Sequence, residues 1–296
     1  MSKPPTEASA LARLTAIVVT YESAHCLPAL ARALGSFPFV TVVDNGSADG
    51  TARLVRQFLP QAQVMALPGN LGFGAANNRA LARCETPYAL LVNPDCAITA
   101  EAATELVETA DAFPDAAIVA PQLLNRAGQE QLNYGFPRLR HSSTGPAAAG
   151  PVCVGNACGA VMLLRMAAQP SRQWFDERFF LYYEDEDLCL RQWKAHRSVI
   201  VTPAVRVAHA NRGSVRGRKP WKLEYRRGWH HARSKVLFTA KHGQPGEARR
   251  LRRRALLAAM LGLPLRVLAF SPRHVARWLG RIGGLWSAGD LTKAAP

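Results

Sequence analysis

Cysteine pairs, long apolar runs and C-terminal acids are what this chain of 296 residues has least of. Its six cysteines (Cys26, Cys84, Cys96, Cys153, Cys158, Cys189) include no CxxC pair and follow no regular spacing. No signal-peptide pattern opens the chain, so reduced thiols in a cytosolic protein are expected. The longest apolar stretch of the C-terminal third is interrupted by Pro264 and Arg266. It falls short of the ~20 residues that a membrane-spanning helix needs. Acids are scarce after residue 205: residues 206–296 hold 3 Asp+Glu against 21 Lys+Arg, whereas residues 1–205 hold 18 against 16. The formal charge of +16 therefore belongs to the C-terminal third, which must meet something anionic. Neither GxGxxG nor GxxxxGK[ST] occurs, which argues against a dinucleotide fingerprint and a P-loop.

What is present is an alternation. LTAIVVT (Leu14 to Thr20) is short, apolar and β-branched, as a strand buried on both faces should be, and CLPALARALGS (Cys26 to Ser36) has helical spacing. FVTVVD (Phe39 to Asp44), a helix from Thr51 to about Leu59, QVMAL, the loop PGNLGFG, the helix AANNRALARC and YALLV continue the series. Such alternation predicts an α/β fold with a parallel sheet and helices on both faces. Ligands of these sheets bind where strands reach their carboxyl ends. Three polar groups fall at successive ends: Asp44, the Asn70 to Gly74 loop with Gly72, and Asn93-Pro94-Asp95. Each would also serve as an ordinary turn, but three together predict a shared crevice.

Phe175 to Arg191, FDERFFLYYEDEDLCLR, sets four consecutive carboxylates (Glu184, Asp185, Glu186, Asp187) behind an aromatic run. Acids suit the first turn of a helix, and Asp187 to Arg191 has the spacing of an intrahelical ion pair. A carboxylate held at the rim of a core would equally suit general-base chemistry.

IVVTYES, VVDNGSADGT, NLGFGAANN, LLVNPD, the CGAVMLLR strand, FDERFFLYYEDEDLCLR and then His209, in that order, resemble the inverting glycosyltransferase family 2, within it the rhamnosyltransferase-like branch that builds bacterial surface polysaccharides. The resemblance covers about residues 14–215. It implies a GT-A (nucleotide-diphospho-sugar transferase) domain over 14–215; the polar, alanine-rich residues 1–13 read from composition as a disordered lead-in, and residues 216–296 as a basic helical region. It also implies a donor pocket lined by Thr20, Tyr21 and Glu22, with Asp44 accepting from the nucleotide base and Asn70, Gly72 and Asn93 nearby. Asp95 takes the place of the last acid of the family's DxD motif, whose first acid is here Asn93. With His209, Asp95 would hold a divalent cation, Mg2+ or Mn2+, at the diphosphate. Asp185 would be the catalytic base and Glu184 would position the acceptor. Asn45 and Asp49 read as turn residues, and Arg212, Ser214 and Arg216 as a loop able to reach a diphosphate. The activity implied is transfer of a sugar, rhamnose from dTDP-rhamnose, to a hydroxyl of a lipid-linked or growing glycan.

Two other functions fit parts of the chain. A sugar-phosphate nucleotidyltransferase would want a glycine- and lysine-rich loop where this chain has TYESAHC. A nucleic-acid binder could use the basic tail with Trp221, Tyr225 and Trp229, but no helix-turn-helix, zinc-finger or RNP pattern is present, so no nucleic acid is expected. The tail, in which RRLRRR adjoins an apolar segment, reads instead as a helix lying on an anionic membrane surface, peripheral at the inner face of the cell membrane. A basic bundle packed on itself is the alternative.

Overall fold

The structure, a computed structural model, describes residues 7–132, 134–135, 148–209, 213, 215, 220–268 and 271–292. By its internal contacts the chain forms two units, residues 1–176 with 185–215, and residues 177–184 with 216–296.

In the first unit, helices α1 (Glu7–Leu11), α2 (Leu27–Leu34), α3 (Thr51–Phe58) and α4 (Phe73–Leu81) alternate with strands β1 (Leu14–Thr20), β2 (Val40–Asp44), β3 (Gln63–Ala66) and β4 (Tyr88–Val92). There follow β5 (Cys96–Ala97), α5 (Ala100–Ala112), β6 (Ala116–Leu124), β7 (Glu130–Gln131), β8 (Tyr134–Gly135), β9 (Val152–Cys153), β10 (Asn156–Ala157) and β11 (Val161–Arg165). Helix α6 (Glu184–Lys194) and β12 (Ser198–His209) come last. The main sheet runs β3-β2-β1-β4-β11-β6-β12-β5, with β8 and β10 pairing apart from it. Strands β3, β2, β1 and β4 are mutually parallel, β11 is antiparallel to both of its neighbours, and β12 returns parallel to β6. All the parallel strands therefore end on the edge where β11 begins.

Period-two burial explains the layering. Leu14, Ala16 and Val18 of β1, Val40 and Val42 of β2, and Leu90 and Val92 of β4 enter one core with α1, α2 and α5. Ile17, Val43, Ala89 and Leu91 enter the other, against α4, Trp174, Phe175, Leu188 and Cys189. Each fully buried Val, Leu or Ile contributes about 1.5–3 kcal/mol. A strand that feeds both cores has no polar face, which is why these runs read as continuous apolar blocks.

The lead-in departs from expectation. Residues 7–11 are helical, Ala10 and Leu11 are buried, and Arg13 pairs with Asp111 of α5 at 2.7 Å. Two small apolar side chains and one bidentate ion pair suffice to dock this alanine-rich stretch on α5; residues 1–6 lie outside the described residues.

The second unit contains α7 (Pro220–His242), α8 (Glu247–Leu268) and α9 (Pro272–Ser287). Its core joins Ala232 and Val236 of α7, Ala248 and Ala259 of α8, and Leu285 of α9. Helices α7 and α9 meet backbone to backbone, because a Cβ on Gly228, Gly280 or Gly284 would collide with the carbonyl oxygens of Arg277, Tyr225 and Trp229. Helix α8 continues through Pro264. Residues 177–184 belong with these helices, unlike the contiguous boundary expected from sequence. Phe180 stacks on His230 at 4.3 Å, Tyr183 packs on Phe238, and the Ser234 hydroxyl donates to the Leu181 carbonyl at 2.9 Å. The aromatic run that precedes the acids thus packs on α7.

Candidate active site

The carboxyl ends of β1 and β2 are tied by Asp44. Its Oδ1 accepts from the Thr20 hydroxyl at 3.2 Å and the Ser47 hydroxyl at 2.5 Å, and its Oδ2 accepts from the Ser47 amide at 3.2 Å. Thr20 and Asp44 are both buried. A carboxylate offers about four lone-pair sites, so one on Oδ2 is left for a ligand N–H. Asn45 ties this turn to the next loop: its Nδ2 donates to Asn70 Oδ1 at 3.0 Å and to the Gly72 carbonyl at 3.1 Å, while its Oδ1 accepts from the Leu71 amide at 2.8 Å. Gly46, at φ 77°, runs against Gly69, where a Cβ would come within 2.6 Å of its Cα. Asp44, Asn70 and Gly72 are therefore brought together.

Glu22 is placed differently. At φ 52° it turns back, and its Oε1 accepts from the Ala48 amide at 2.7 Å while its own amide donates to Ser47 Oγ. Its carboxylate braces the 47–49 turn. The Tyr21 amide donates to Ser23 Oγ at 3.2 Å. Asp49 is a turn residue, accepting from the amides of Thr51 and Ala24.

After β4, the Asn93 amide donates to the Ala160 carbonyl at 2.8 Å, just before β11. Asp95 Oδ2 accepts from the Gly213 amide at 2.9 Å. The bulged strand β12 brings His209 opposite Cys96 of β5. The Nε2 of His209 lies 3.8 Å from Asp95 Oδ1, both side chains being at most 10% exposed. Ligand atoms of Asp95, Cys96 and His209 fall within 4.8 Å of one another. Asp95 Oδ1 and His209 Nδ1 are buried without hydrogen-bond partners among the described residues. Desolvation holds His209 below the usual histidine range, against the raising effect of Asp95, which keeps the ring able to donate a lone pair. Burial pushes the Cys96 thiol well up, so it is the poorest of the three donors for a hard cation. A carboxylate beside a neutral imidazole fits a divalent ion that takes its remaining ligands from phosphate and water.

Asp185 joins this edge through glycine. The Gly159 amide donates to Asp185 Oδ2 at 2.9 Å, and the Glu186 amide to Oδ1 at 3.0 Å. Residues 159 and 160 thus touch Asp185 on one side and Asn93 on the other. Burial raises the Asp185 carboxyl above the ordinary aspartate range, although the amides of Gly159 and Glu186 pull the other way. The chain enters α6 through Tyr182 and Tyr183, both left-handed at φ 69° and 67°. Such paired strain persists where the surroundings fix it, often beside functional groups. Glu184 opens the helix and is buried; Asp187 is fully buried and pairs with Arg191 at 2.8 Å.

Other residues matter that sequence reasoning passed over. Asn78 of α4 grips the backbone of Phe175, donating to its carbonyl and accepting from its amide, both at 2.9 Å. Gly74 lets Phe175 approach, since a Cβ there would lie 2.8 Å from that of Phe175. His25 Nε2 donates to the Gly213 carbonyl at 2.6 Å, fixing the residue whose amide reaches Asp95. Gly74 and Asn78 lie in the GFGAANN signal; nothing local marks His25. Arg212, Ser214 and Arg216 lie outside the described residues.

The model of glycosyl transferase family 2 matches residues 15–168, more than half the chain. The chain belongs to glycosyltransferase family 2. It is similar to an N-acetylglucosaminyl-diphospho-decaprenol L-rhamnosyltransferase of Mycobacterium tuberculosis, 27% identical over 250 residues, covering 70% of this chain and 78% of the relative. Among solved structures, this glycosyltransferase resembles the mannosyltransferase PcManGT from Pyrobaculum calidifontis in complex with GDP-Man and Mn2+, with TM-score 0.56, 15% identity, and coverage of 95% and 87%. It also resembles S. aureus TarS, with TM-score 0.54, 15% identity, and coverage of 95% and 90%. These likenesses give it the GT-A fold.

Proposed function

We propose that this glycosyltransferase transfers rhamnose from dTDP-rhamnose, with inversion, to a hydroxyl of a lipid-linked or growing cell-surface glycan. The observation that carries the reading is Asp185, whose raised carboxyl is aimed by the Gly159 amide beside the strand end that bears Asn93 and Asp95. Raised basicity suits a carboxylate that must take a proton near neutral pH. The acceptor oxygen attacks the anomeric carbon as the bond to the diphosphate breaks, and its proton passes to Asp185. Glu184 positions the acceptor. Asp44, held by Thr20 and Ser47, accepts from the pyrimidine ring, with Tyr21 and Glu22 shaping the turn beside it. Asp95 and His209 would hold Mg2+ or Mn2+, which supplies positive charge to the departing diphosphate.

No helix among the described residues is long and apolar enough to cross a membrane. Helix α8 nevertheless exposes Leu257, Met260, Leu261 and Val267, next to the arginine run 252–254. That pairing supports a cytoplasmic enzyme peripheral at the inner face of the membrane, where a lipid-linked acceptor would be met.

The test is a thermal-shift panel of nucleoside diphosphates and their rhamnose conjugates, with and without Mn2+, on the parent protein and Asp95→Ala. It is followed by rhamnose transfer to N-acetylglucosaminyl-diphospho-decaprenol, the acceptor named for the mycobacterial relative. dTDP-rhamnose should raise Tm most, and Asp95→Ala should abolish the Mn2+-dependent part. A larger shift from another nucleotide sugar would overturn the donor assignment.

A further inference from the structure

Within the helical unit, three guanidinium groups converge on a cavity of about 230 Å3 between α7, α8 and α9. Arg266 and Arg281 stand 5.1 and 5.2 Å from the centre of the Trp278 ring, which is itself locked by its Nε1 donating to the Ala259 carbonyl at 2.6 Å. Arg277, His231 and His274 complete its lining. One carboxylate, Glu224, serves two arginines, Arg227 at 2.7 Å and Arg277 at 3.7 Å. Among the described residues neither Arg266 nor Arg281 meets a carboxylate. Desolvation first, then the charges of Arg277, Lys235 and Arg281, push His231 down to about 4, so its ring stands neutral among these arginines. The close approach of α7 and α9 at Gly228 and Gly280 fixes the wall in place.

Guanidiniums stacked on an indole are positioned before any ligand arrives, and their forks match phosphate oxygens. Leu257, Met260, Leu261 and Val267 lie exposed along α8, the helix that carries Arg266. An anion bearing a long apolar tail would satisfy both features.

We propose that this pocket binds the phosphate or diphosphate group of a lipid, with the anion between Arg266, Arg277 and Arg281 and the hydrocarbon chain along α8. The group could belong to a phospholipid head or to the diphosphate of a lipid-linked acceptor. Only that last choice rests on the function proposed above.

The test uses the full chain and calorimetric titration with inorganic pyrophosphate. Arg266→Gln/Arg281→Gln should weaken one binding event at least ~10-fold, as loss of charge-assisted phosphate contacts does, while Asp95→Ala and Asp44→Ala leave that event unchanged. Trp278→Phe, which keeps a ring but not the Nε1 anchor, should weaken it less. Binding lost through Asp95→Ala and indifferent to the arginine changes overturns the pocket. Competition then separates the sources. Displacement of pyrophosphate by phosphatidylglycerol vesicles, but not by phosphatidylcholine vesicles, identifies a phospholipid head. Displacement only by polyprenyl diphosphate in detergent micelles identifies a diphosphate lipid. Failure of both to compete overturns the assignment to a lipid. An intact arginine-dependent event in a protein that binds no nucleotide sugar would sink the transferase reading and leave this pocket standing.

Discussion

The Gly159 amide meets Asp185 Oδ2 at 2.9 Å, and a Cβ at position 159 would stand 3.3 Å from the Asp185 Cβ and 3.5 Å from the Phe73 ring. The turn that leads into β11 is therefore shaped to hold this one carboxylate.

Asp185→Asn should lower kcat by ~10²–10⁴ while leaving nucleoside diphosphate affinity unchanged, because the amide keeps the contacts but accepts no proton. Gly159→Ala should show a smaller loss of kcat, since displacing a reacting group by a few tenths of an ångström is costly in rate. The pH profile gives an independent check. A raised carboxyl becomes a base only as pH climbs through its shifted value, so the acid limb of kcat should lie above the ordinary aspartate range. A limb unchanged by Gly159→Ala and full activity in Asp185→Asn would remove the base from this position.

Asp44→Ala should weaken nucleoside diphosphate binding by roughly 10-fold or more with little change in kcat, because base recognition is made about equally in ground and transition states. Calorimetry decides it, with Thr20→Val as the control. That change loses the 3.2 Å hydroxyl contact but leaves the carboxylate, so it should fall between parent and Asp44→Ala.

Asn78→Leu should destabilise the first unit by about 2–5 kcal/mol, since it strands both the amide and the carbonyl of the buried Phe175. Urea unfolding measures it. Asn78→Asp, which keeps one of the two bonds, should lose less; equal stability for all three proteins would show that solvent replaces the side chain.

The alternation of strands and helices was legible because β1, β2 and β4 feed two cores and so carry no polar face. Asp44 and Asp95 were legible as candidates because acids at the strand ends are few, whereas Asp185 stands among four consecutive acids and was singled out by the family resemblance alone. What escaped was long-range. Strand β12 reads locally as an interrupted apolar run, yet it carries His209 to Cys96, more than a hundred residues away. Glu22 resembles a pocket residue by position, but a left-handed backbone turns its carboxylate onto Ala48. The aromatic run before the acids carries no mark in its own sequence that α7 will cover it, since Ser234, His230 and Phe238 lie some fifty residues on. A separation of 98 residues, from Arg13 to Asp111, hides the docking of residues 7–13, where two apolar side chains and an arginine suffice.

His230 offers a test of that cover. Its ring stacks on Phe180 at 4.3 Å and meets Trp229 at 4.8 Å, and Arg178 and Arg233 line the same cavity. Desolvation, then Arg226 and Arg233, bring its pKa down to about 4 from an unperturbed 6.5. Between those values the unfolded chain binds a proton that the folded chain refuses, so stability is intact above pH 6.5 and declines as pH falls toward 4. Below about 4 both states are protonated and the loss is complete. His230→Phe preserves the stack but cannot titrate. Its melting midpoint should therefore fall less steeply than that of the parent between pH 6.5 and 4, in scanning calorimetry at constant ionic strength. Parallel curves would mean that the ring is already solvated in the folded protein, and that the stack on Phe180 holds residues 177–184 to α7 without excluding water.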